Sequence, residues 1–149
     1  MKIRNAKLTD SDDILRWRNN ITTRVMSINN NIINQKEHDI WFNSALVDAN
    51  CFIYIGVKND VKLGIVKFDC DFNIMETEVS INVNPKVRGQ GVSFDLLSLS
   101  IKKISYLNFN LFKATIKKSN NLSKKIFVKC GFKFDYSDKE LEFYTLNNK

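Results

Sequence analysis

Apolar and polar residues follow two periods along the chain, and each period predicts one kind of secondary structure. Alternation predicts strands over residues 2–8, 51–57, 63–69, 76–83, 111–116, 132–136 and 141–146. Helical spacing predicts helices over about 9–20, 35–47, from the glycines near 90 to Tyr106, and 120–130. The order is strand, two helices, three strands, helix, strand, helix and two strands. It predicts a mixed sheet with helices on its faces.

Polar residues and glycines mark the ends of these elements. Thr9 or Asp10 is expected to cap the first helix, with Ile14, Trp17 and Ile21 on one of its faces. The other predicted boundaries are the N-cap Asn34 with Glu37 three residues later, the turn Asn59–Asp60, the N-cap Ser119 or Asn120, and the C-cap Gly131. On the strand over 76–83, one face carries Val79, Ile81 and Val83 and the other carries Glu78, Ser80 and Asn82.

Length and cysteine usage limit the class of protein. A chain of 149 residues fits one domain, which we expect to span 1–149. The first five residues lack the apolar stretch of a signal peptide, and no apolar run approaches a membrane span. Cys51, Cys70 and Cys130 lie far apart, which indicates reduced thiols in a soluble cytoplasmic protein and neither a disulfide framework nor a metal site.

Basic residues are concentrated in one part of the chain. The segment from Ser80 to Lys133 has eleven Lys or Arg residues against Asp95 alone, whereas the remainder has a small negative charge. This asymmetry indicates that one region faces phosphate groups, although a solvated basic surface would look the same. A nucleic-acid binder would also explain the charge, but the aromatic residues fall at core spacings and no nucleic-acid motif is present, so we expect no nucleic-acid partner.

A glycine-rich turn is the strongest local signal. Arg88, Gly89, Gln90, Gly91, Val92 and Ser93 leave a strand and open a helix. Backbone N–H groups that converge beside glycines, together with a helix N-terminus, form a cradle for pyrophosphate. The turn lacks the Lys-Ser/Thr ending of an NTPase P-loop, and it does not follow the first strand as in a dinucleotide-binding fold.

A second signal follows about 30 residues later and carries a resemblance to a known family. Asn120, Ser123, Phe127, Gly131 and Phe132 match the pattern Asn-x-x-Ser, an aromatic residue four positions on, and Gly-Phe. This pattern and the turn at Arg88 and Gly91 resemble the two coenzyme A signatures of the GNAT superfamily of N-acetyltransferases. Ser93 replaces the usual final Gly or Ala. The resemblance implies an α+β fold with a mixed, mostly antiparallel sheet flanked by helices on both faces.

The resemblance also implies where acetyl-CoA, the expected cosubstrate, is bound. Residues Val87 to Ser93 would hold the pyrophosphate, and the backbone of Ile81 to Val83 would bind the pantetheine arm. Asn120 and Ser123 would contact the far end of the cosubstrate. Lys124 and Lys125 are placed to meet the adenosine phosphates, although exposed helix charge explains them equally well. Many members of the family are dimers, so a homodimer is possible.

The implied reaction is direct attack of an amine on the thioester. An ammonium group must first lose a proton, and we assign this step to Glu78, with Glu76 on the same face as the reserve candidate. The carbonyl oxygen would be met by the backbone N–H of Asn82 or Val83. Phe127 occupies a position where many family members have a tyrosine acid. Either water or Tyr136 is therefore left to protonate the departing thiolate, and water is favoured.

Three parts of the first 50 residues are the string Leu15-Arg16-Trp17-Arg18-Asn19-Asn20, Arg24, and the string His38-Asp39-Ile40-Trp41-Phe42. They resemble the opening of bacterial acetyltransferases that modify nucleotide-linked amino sugars, in particular 4-amino sugars on the pseudaminic-acid route. The acceptor contacts implied are Arg18, Asn19, Arg24, His38 and Trp41. Arginines suit a diphosphate and aromatic rings suit a sugar or base. The alternatives are a protein N-terminal or lysine amine as acceptor, or a coenzyme A-binding module without catalysis. We expect a small-molecule partner and no membrane partner.

Overall fold

The computed structural model describes residues 1–148, which form a seven-stranded sheet with helices on both faces. The strands are β1 (Lys2–Asn5), β2 (Cys51–Lys58), β3 (Val61–Asp71), β4 (Glu76–Val83), β5 (Leu111–Lys117), β6 (Lys133–Asp138) and β7 (Leu141–Asn147). Their spatial order is β1-β2-β3-β4-β5-β7-β6, and the β4–β5 pair alone is parallel. The helices are α1 (Ser11–Asn19), α2 (Ile21–Met26), α3 (Gln35–Val47), α4 (Val92–Ile104) and α5 (Asn121–Lys129). The predicted α+β class is confirmed.

Each face of the sheet has its own apolar core. On one face α4 and α5 pack through Leu96 and Phe127 against β3, β4 and β5. On the other face α1 and α3 bury Trp17 and Phe42 against isoleucines of β2 and β3. Burial of this apolar area is the main stabilising term for the fold. Within residues 1–148, the structure contains no helix long and apolar enough to cross a membrane.

The first strand is shorter than predicted because a buried carboxylate turns the chain. Asp10 is 1% exposed, and its side chain accepts hydrogen bonds from Arg4 at 2.8 and 2.9 Å and from the backbone N–H of Lys7 at 2.8 Å. Lys62 of β3 adds an ion pair at 2.9 Å. These partners hold the pKa of Asp10 well below its usual range, against the opposing effect of burial. The Asp10 side chain thus links Arg4 of β1 to Lys62 of β3, and it does not cap α1.

The first helix ends at Asn19, within one residue of its predicted end, but its apolar face does not continue to Ile21. The Asn20 side chain accepts from the N–H groups of Thr22 and Thr23 and so starts a separate helix, α2. Ile21 is 66% exposed and does not join the face of Ile14 and Trp17, so that part of the prediction is wrong. The predicted caps at Asn34 and Asn120 and the left-handed C-cap at Gly131 are confirmed.

Candidate functional site

Strands β4 and β5 run side by side for three residues and then diverge. Glu76 to Glu78 pair in parallel with Leu111 to Lys113, and the described ladder contains no further pair between these strands. On its other edge β5 continues to pair with β7 as far as Lys117. A wedge-shaped gap, called the cleft below, therefore opens between residues 79–83 of β4 and 114–117 of β5.

Alternate backbone amides of β4 point into the cleft. The N–H of Asn84 donates to the carbonyl oxygen of Leu63 at 2.8 Å, and the antiparallel register puts Asn82 in an equivalent pair two residues earlier. Because hydrogen-bonded pairs alternate along such a ladder, the N–H of Asn82 points at β3, whereas those of Ile81 and Val83 point into the cleft. The amide of Val83 is therefore open to a ligand in the cleft, and its role as an oxyanion donor stays a prediction. The prediction for the Asn82 amide is wrong.

The turn between β4 and α4 leaves an unfilled space above its backbone. Gly89 and Gly91 have φ angles of 78° and 74°, in the left-handed region that favours glycine. Apart from its two chain neighbours, a Cβ built on either glycine would meet no atom of residues 1–148 within 4 Å. Gly91 precedes α4, a helix of 13 residues whose N-terminus has a partial positive charge. This arrangement fits a diphosphate group.

The neighbours of these glycines offer backbone rather than side chains to that space. Val87 is buried and anchors the turn, whereas Gln90 is exposed. Val92 and Ser93 form the first turn of α4, where backbone N–H groups have no partner within the helix. These N–H groups are the donors that the predicted pyrophosphate contacts require.

The Arg88 side chain points away from the turn and toward α2. Its Nη1 donates to Oδ1 of Asn20 at 3.3 Å, and its Nη2 donates to Oγ1 of Thr23 and, at 3.4 Å, to the carbonyl oxygen of Val83. Burial lowers the pKa of Arg88, but a guanidinium remains charged at neutral pH. Because the guanidinium of Arg88 is engaged with α2 and β4, a contact of this residue with the cosubstrate would come from its backbone.

The second motif forms the start of α5. The Asn120 side chain accepts from the N–H of Ser123 at 3.1 Å, so this pair caps the helix. Lys124 forms an ion pair with Glu142 at 3.2 Å. Lys125 is exposed on the same helix. The structure thus explains Asn120 and Ser123 by capping, and it leaves the phosphate contact of Lys125 as a prediction.

Glu78, the assigned base, lies on β4 at the last position that pairs with β5. Its side chain is exposed on the face opposite to the buried Thr77 and Val79, as the alternation predicted. Thr115 of β5 donates a hydrogen bond to Oε1 of Glu78 at 2.9 Å, which orients the carboxylate across the start of the cleft. The reserve candidate Glu76 is instead ion-paired with a lysine of β5 at 2.9 Å. The sequence reasoning missed Thr115, although alternation along β5 places it on the polar face.

A cavity of about 180 Å³ lies directly beside Glu78. Its far wall is a stacked pair, Tyr136 and Phe143, whose ring centroids lie 4.4 Å apart at an interplanar angle of 10°. Asp135 also lines it, on a strand whose register shifts at that point. The cavity therefore combines two carboxylates and an aromatic wall with one lysine, Lys113. Because Lys113 is ion-paired with Glu76, the two carboxylates remain to attract an ammonium group.

A larger cavity, about 540 Å³, lies elsewhere. It is bounded by the first half of β2, the end of α3, Lys103 near the end of α4 and Tyr106 just after that helix. None of its lining residues belongs to the turn, the cleft or α5, so size alone does not identify the reactive site.

Phe127 is a core residue. It is 2% exposed, and its ring meets Phe132 edge-on with centroids 5.0 Å apart. Tyr136, the tyrosine considered as the acid, lines the same cavity as Glu78.

Two arginines among the predicted acceptor contacts, Arg18 and Arg24, have N–H groups without a hydrogen-bond partner within residues 1–148. Arg18 donates through Nη2 to the carbonyl oxygen of Asn29 at 3.0 Å. Its Nη1 and the Nε of Arg24 are buried and have no partner within residues 1–148. A buried unpaired N–H costs about 1–3 kcal/mol. These two atoms are therefore suited to a further acceptor or anion.

Two other predicted acceptor contacts serve the fold instead. His38 is 2% exposed; its Nε2 lies 3.0 Å from Oγ of Ser11, and its ring stacks on Phe42. Burial lowers the pKa of His38. The Asn19 side chain exchanges hydrogen bonds with the backbone of Ile33 at 2.7 and 2.8 Å and ties down the segment before α3. Neither side chain is directed at an open surface, which corrects both expectations.

Trp41 remains at the surface on α3. It is 40% exposed, and Nζ of Lys67 lies 5.6 Å from its ring centroid. Because Lys67 pairs with Ser80 in the ladder, Trp41 stands near the polar face of β4.

The described cysteines and acidic residues are the remaining candidates for a nucleophile and for a metal site. Burial raises the pKa of all three thiols, to about 11 for Cys51 and Cys130, so none is a ready thiolate nucleophile. Among the described residues, no group of three His, Cys, Asp or Glu side chains is placed to hold a metal ion.

Comparisons with known proteins agree with this geometry. The family model described as acetyltransferase (GNAT) domain matches residues 1–133. An N-acetyltransferase from Staphylococcus aureus Mu50 is 25% identical, with a TM-score of 0.82 over 99% of this chain and 98% of that one. No curated protein matches the sequence.

Two more distant solved structures share the fold. A putative acetyltransferase from Salmonella typhimurium, solved with its cofactor acetyl-CoA, is 20% identical with a TM-score of 0.80 over 99% of this chain and 94% of that one. The N-acetyltransferase PseH from Campylobacter jejuni is 18% identical with a TM-score of 0.76 over 99% and 98%.

Proposed function

The chain belongs to the GNAT acetyltransferase family, and we propose that its acceptor is the primary amine of a nucleotide-linked amino sugar. The protein is an N-acetyltransferase, and acetyl-CoA is its cosubstrate. The observation that carries the proposal is the position of Glu78, whose carboxylate lies where β4 and β5 separate and forms one wall of a cavity.

The cosubstrate is held from the α4 side. The pyrophosphate would lie above Gly89 and Gly91, where the backbone is open and the helix N-terminus begins. The amides of Ile81 and Val83 would bind the pantetheine arm, which directs the thioester toward Glu78. Lys125 remains the residue proposed to meet the adenosine phosphates.

The reaction is a direct transfer. Glu78 removes a proton from the ammonium group of the acceptor, directly or through one water, because only the neutral amine is nucleophilic. The amine nitrogen bonds to the acetyl carbon, the carbon–sulfur bond breaks, and the nitrogen gives its second proton to water as the amide forms. A backbone N–H of β4 that faces the cleft near Glu78 would stabilise the negative charge that develops on the carbonyl oxygen. Water protonates the thiolate, which leaves readily because the pKa of a free thiol is about 8.5.

The acceptor side of the cleft is suited to a phosphate-bearing amine. Arg18, near the end of α1, and Arg24, in α2, each have a buried N–H group without a partner among residues 1–148. Lys117 lies beneath α2, with Nζ 3.2 Å from the carbonyl oxygen of Val25. Positive groups around α2 and carboxylates in the cavity would bind the two ends of a nucleotide-linked amino sugar, its diphosphate and its ammonium.

The base and the acceptor are tested in one experiment. Turnover is measured with acetyl-CoA and three acceptors: a UDP-linked 4-amino sugar, a peptide with a free N-terminus and a lysine-containing peptide. We expect the amino sugar to have the highest kcat/KM. We expect Glu78→Gln to lower kcat about tenfold or more without weakening acetyl-CoA binding. Glu76→Gln is the matched control, since it removes a carboxylate from the same face.

Faster turnover of either peptide would overturn the proposed acceptor and favour protein acetylation. Equal losses in the Glu78→Gln and Glu76→Gln variants would overturn the assignment of the base.

A further inference from the structure

Helix α2 is too short to be stable by itself. It has six residues, and isolated helices below about 12 residues are marginal in water. Two of its side chains, Ile21 and Val25, are 66% and 52% exposed, so an apolar face contributes little to holding it. The position of α2 therefore depends on hydrogen bonds from other elements.

The most extensive of these hydrogen bonds come from Arg88. This residue belongs to the glycine turn, yet its guanidinium joins the side chains of Asn20 and Thr23 to the carbonyl oxygen of Val83. Asn20 caps α2 and Thr23 is the buried residue of that helix. One side chain thus connects the turn, the end of β4 and the start of α2.

A second connection comes from the other wall of the cleft. Lys117, the last residue of β5, donates to the carbonyl oxygen of Val25 at 3.2 Å. Helix α2 consequently spans the open end of the cleft, held by one cation from each wall.

We infer that Arg88 is a positioning residue that couples the cosubstrate turn to α2, so that binding of coenzyme A orders α2 and completes the acceptor side. The inference rests on the proposed placement of the pyrophosphate above Gly89 and Gly91. A ligand there fixes the backbone on both sides of Arg88, and a fixed backbone holds the guanidinium against Thr23. The carriers of the coupling are then the Arg88–Thr23 and Arg88–Asn20 hydrogen bonds.

Coupling of this kind is reciprocal. If coenzyme A favours the ordered α2, then an acceptor that contacts ordered α2 must strengthen coenzyme A binding by the same factor. Arg24 and its neighbours would occupy their final positions more often when the turn is filled, so each ligand should tighten the binding of the other.

The test measures α2 directly and needs no acceptor. Hydrogen–deuterium exchange is followed for a peptide covering residues 21–27, with and without saturating coenzyme A. Coenzyme A affinity is measured separately by calorimetry. Thr23→Val removes the hydroxyl acceptor of Arg88 with little change of shape, and Thr22→Val is the matched control on an exposed position of the same helix.

We expect coenzyme A to slow exchange about fivefold or more in the wild type and in Thr22→Val, and less than about twofold in Thr23→Val. Coenzyme A should still bind Thr23→Val, because the backbone of the glycine turn is unchanged. Equal slowing in both variants, or no slowing in a wild type that binds coenzyme A, would overturn the coupling alone. Absence of coenzyme A binding to the wild type would overturn the proposed cosubstrate site and the coupling with it.

Discussion

The two sides of the cleft differ in which part of the chain forms them. On the α4 side, the groups suited to the cosubstrate are backbone amides of the turn at Gly89 and Gly91 and of β4 at Ile81 and Val83. On the acceptor side, the groups are the side chains of Glu78 and Arg24 and their neighbours. Backbone geometry is fixed by a few glycines and a strand register, whereas side-chain sites depend on which distant elements pack together.

This difference sets how specific each side is. A backbone cradle recognises a diphosphate and a peptide-like arm, which are the same in every reaction that uses acetyl-CoA. Side chains that converge from α1, α2, β4 and β5 can change one at a time without altering the fold. One side of the cleft therefore retains a common cosubstrate, and the other is free to select an acceptor.

The largest effect is expected from a change in the backbone of the cosubstrate side. Gly91→Val should lower coenzyme A affinity about tenfold to a hundredfold, because a branched residue at a φ of 74° is strained by about 1–3 kcal/mol and its side chain enters the open space. Calorimetric titration with coenzyme A measures this loss. Gly131→Val is the matched control: it also places valine at a positive φ, of 99°, but at the end of α5.

We expect both valine variants to lose stability and only Gly91→Val to lose affinity. A similar loss of affinity in Gly131→Val would show that general destabilisation, and not the cradle, explains the result.

The acceptor side shows why side-chain sites are hard to predict from sequence. Helical spacing correctly placed His38, Trp41 and Phe42 on one face of α3, but it could not tell which element covers that face. α1 covers it, so His38 and Phe42 are buried and Trp41 remains at the margin. Spacing also put Ile21 on the face of Ile14 and Trp17, because it carries no information on the competing cap at Asn20.

The cosubstrate side was more predictable for a physical reason. Two glycines between a strand and a helix indicate a turn with positive φ whatever packs around it, and both φ angles are positive. Alternation along β4 gave the correct faces for Glu78 and Val79. It did not show which edge of the strand each amide faces, since that depends on pairing with β3, and so Asn82 was assigned in error.

A moderate effect on stability is expected from the buried histidine of the acceptor side. Burial lowers the pKa of His38 below its unfolded value of 6.5, against smaller opposing contributions from Ser11, Asp39 and Asp12. Below that pH the unfolded chain takes up a proton that the folded chain resists. The free energy of unfolding should therefore decrease as pH falls from 6.5 toward the folded pKa, by at most about 1.4 kcal/mol per pH unit for one proton.

Thermal or urea unfolding between neutral and mildly acidic pH measures this slope. His38→Gln should reduce it and leave kcat on the best acceptor at neutral pH within about twofold, as expected of a residue that serves packing. An unchanged slope, or a large loss of kcat with normal stability, would return His38 to the list of acceptor contacts.

The smallest effect on catalysis is expected at a core residue of α5, in the position that many family members fill with tyrosine. Phe127→Tyr should change kcat by less than about threefold, because a thiolate leaves without needing a protein acid. The added hydroxyl is attached to a buried ring that packs edge-on against Phe132. If it finds no hydrogen-bond partner, it should lower the free energy of unfolding by about 1–3 kcal/mol. Tyr136→Phe is measured beside it, and we expect a similarly small change in kcat. A rise of about tenfold in the first variant, or a fall of that size in the second, would show that protonation of sulfur limits turnover and that water does not supply the proton.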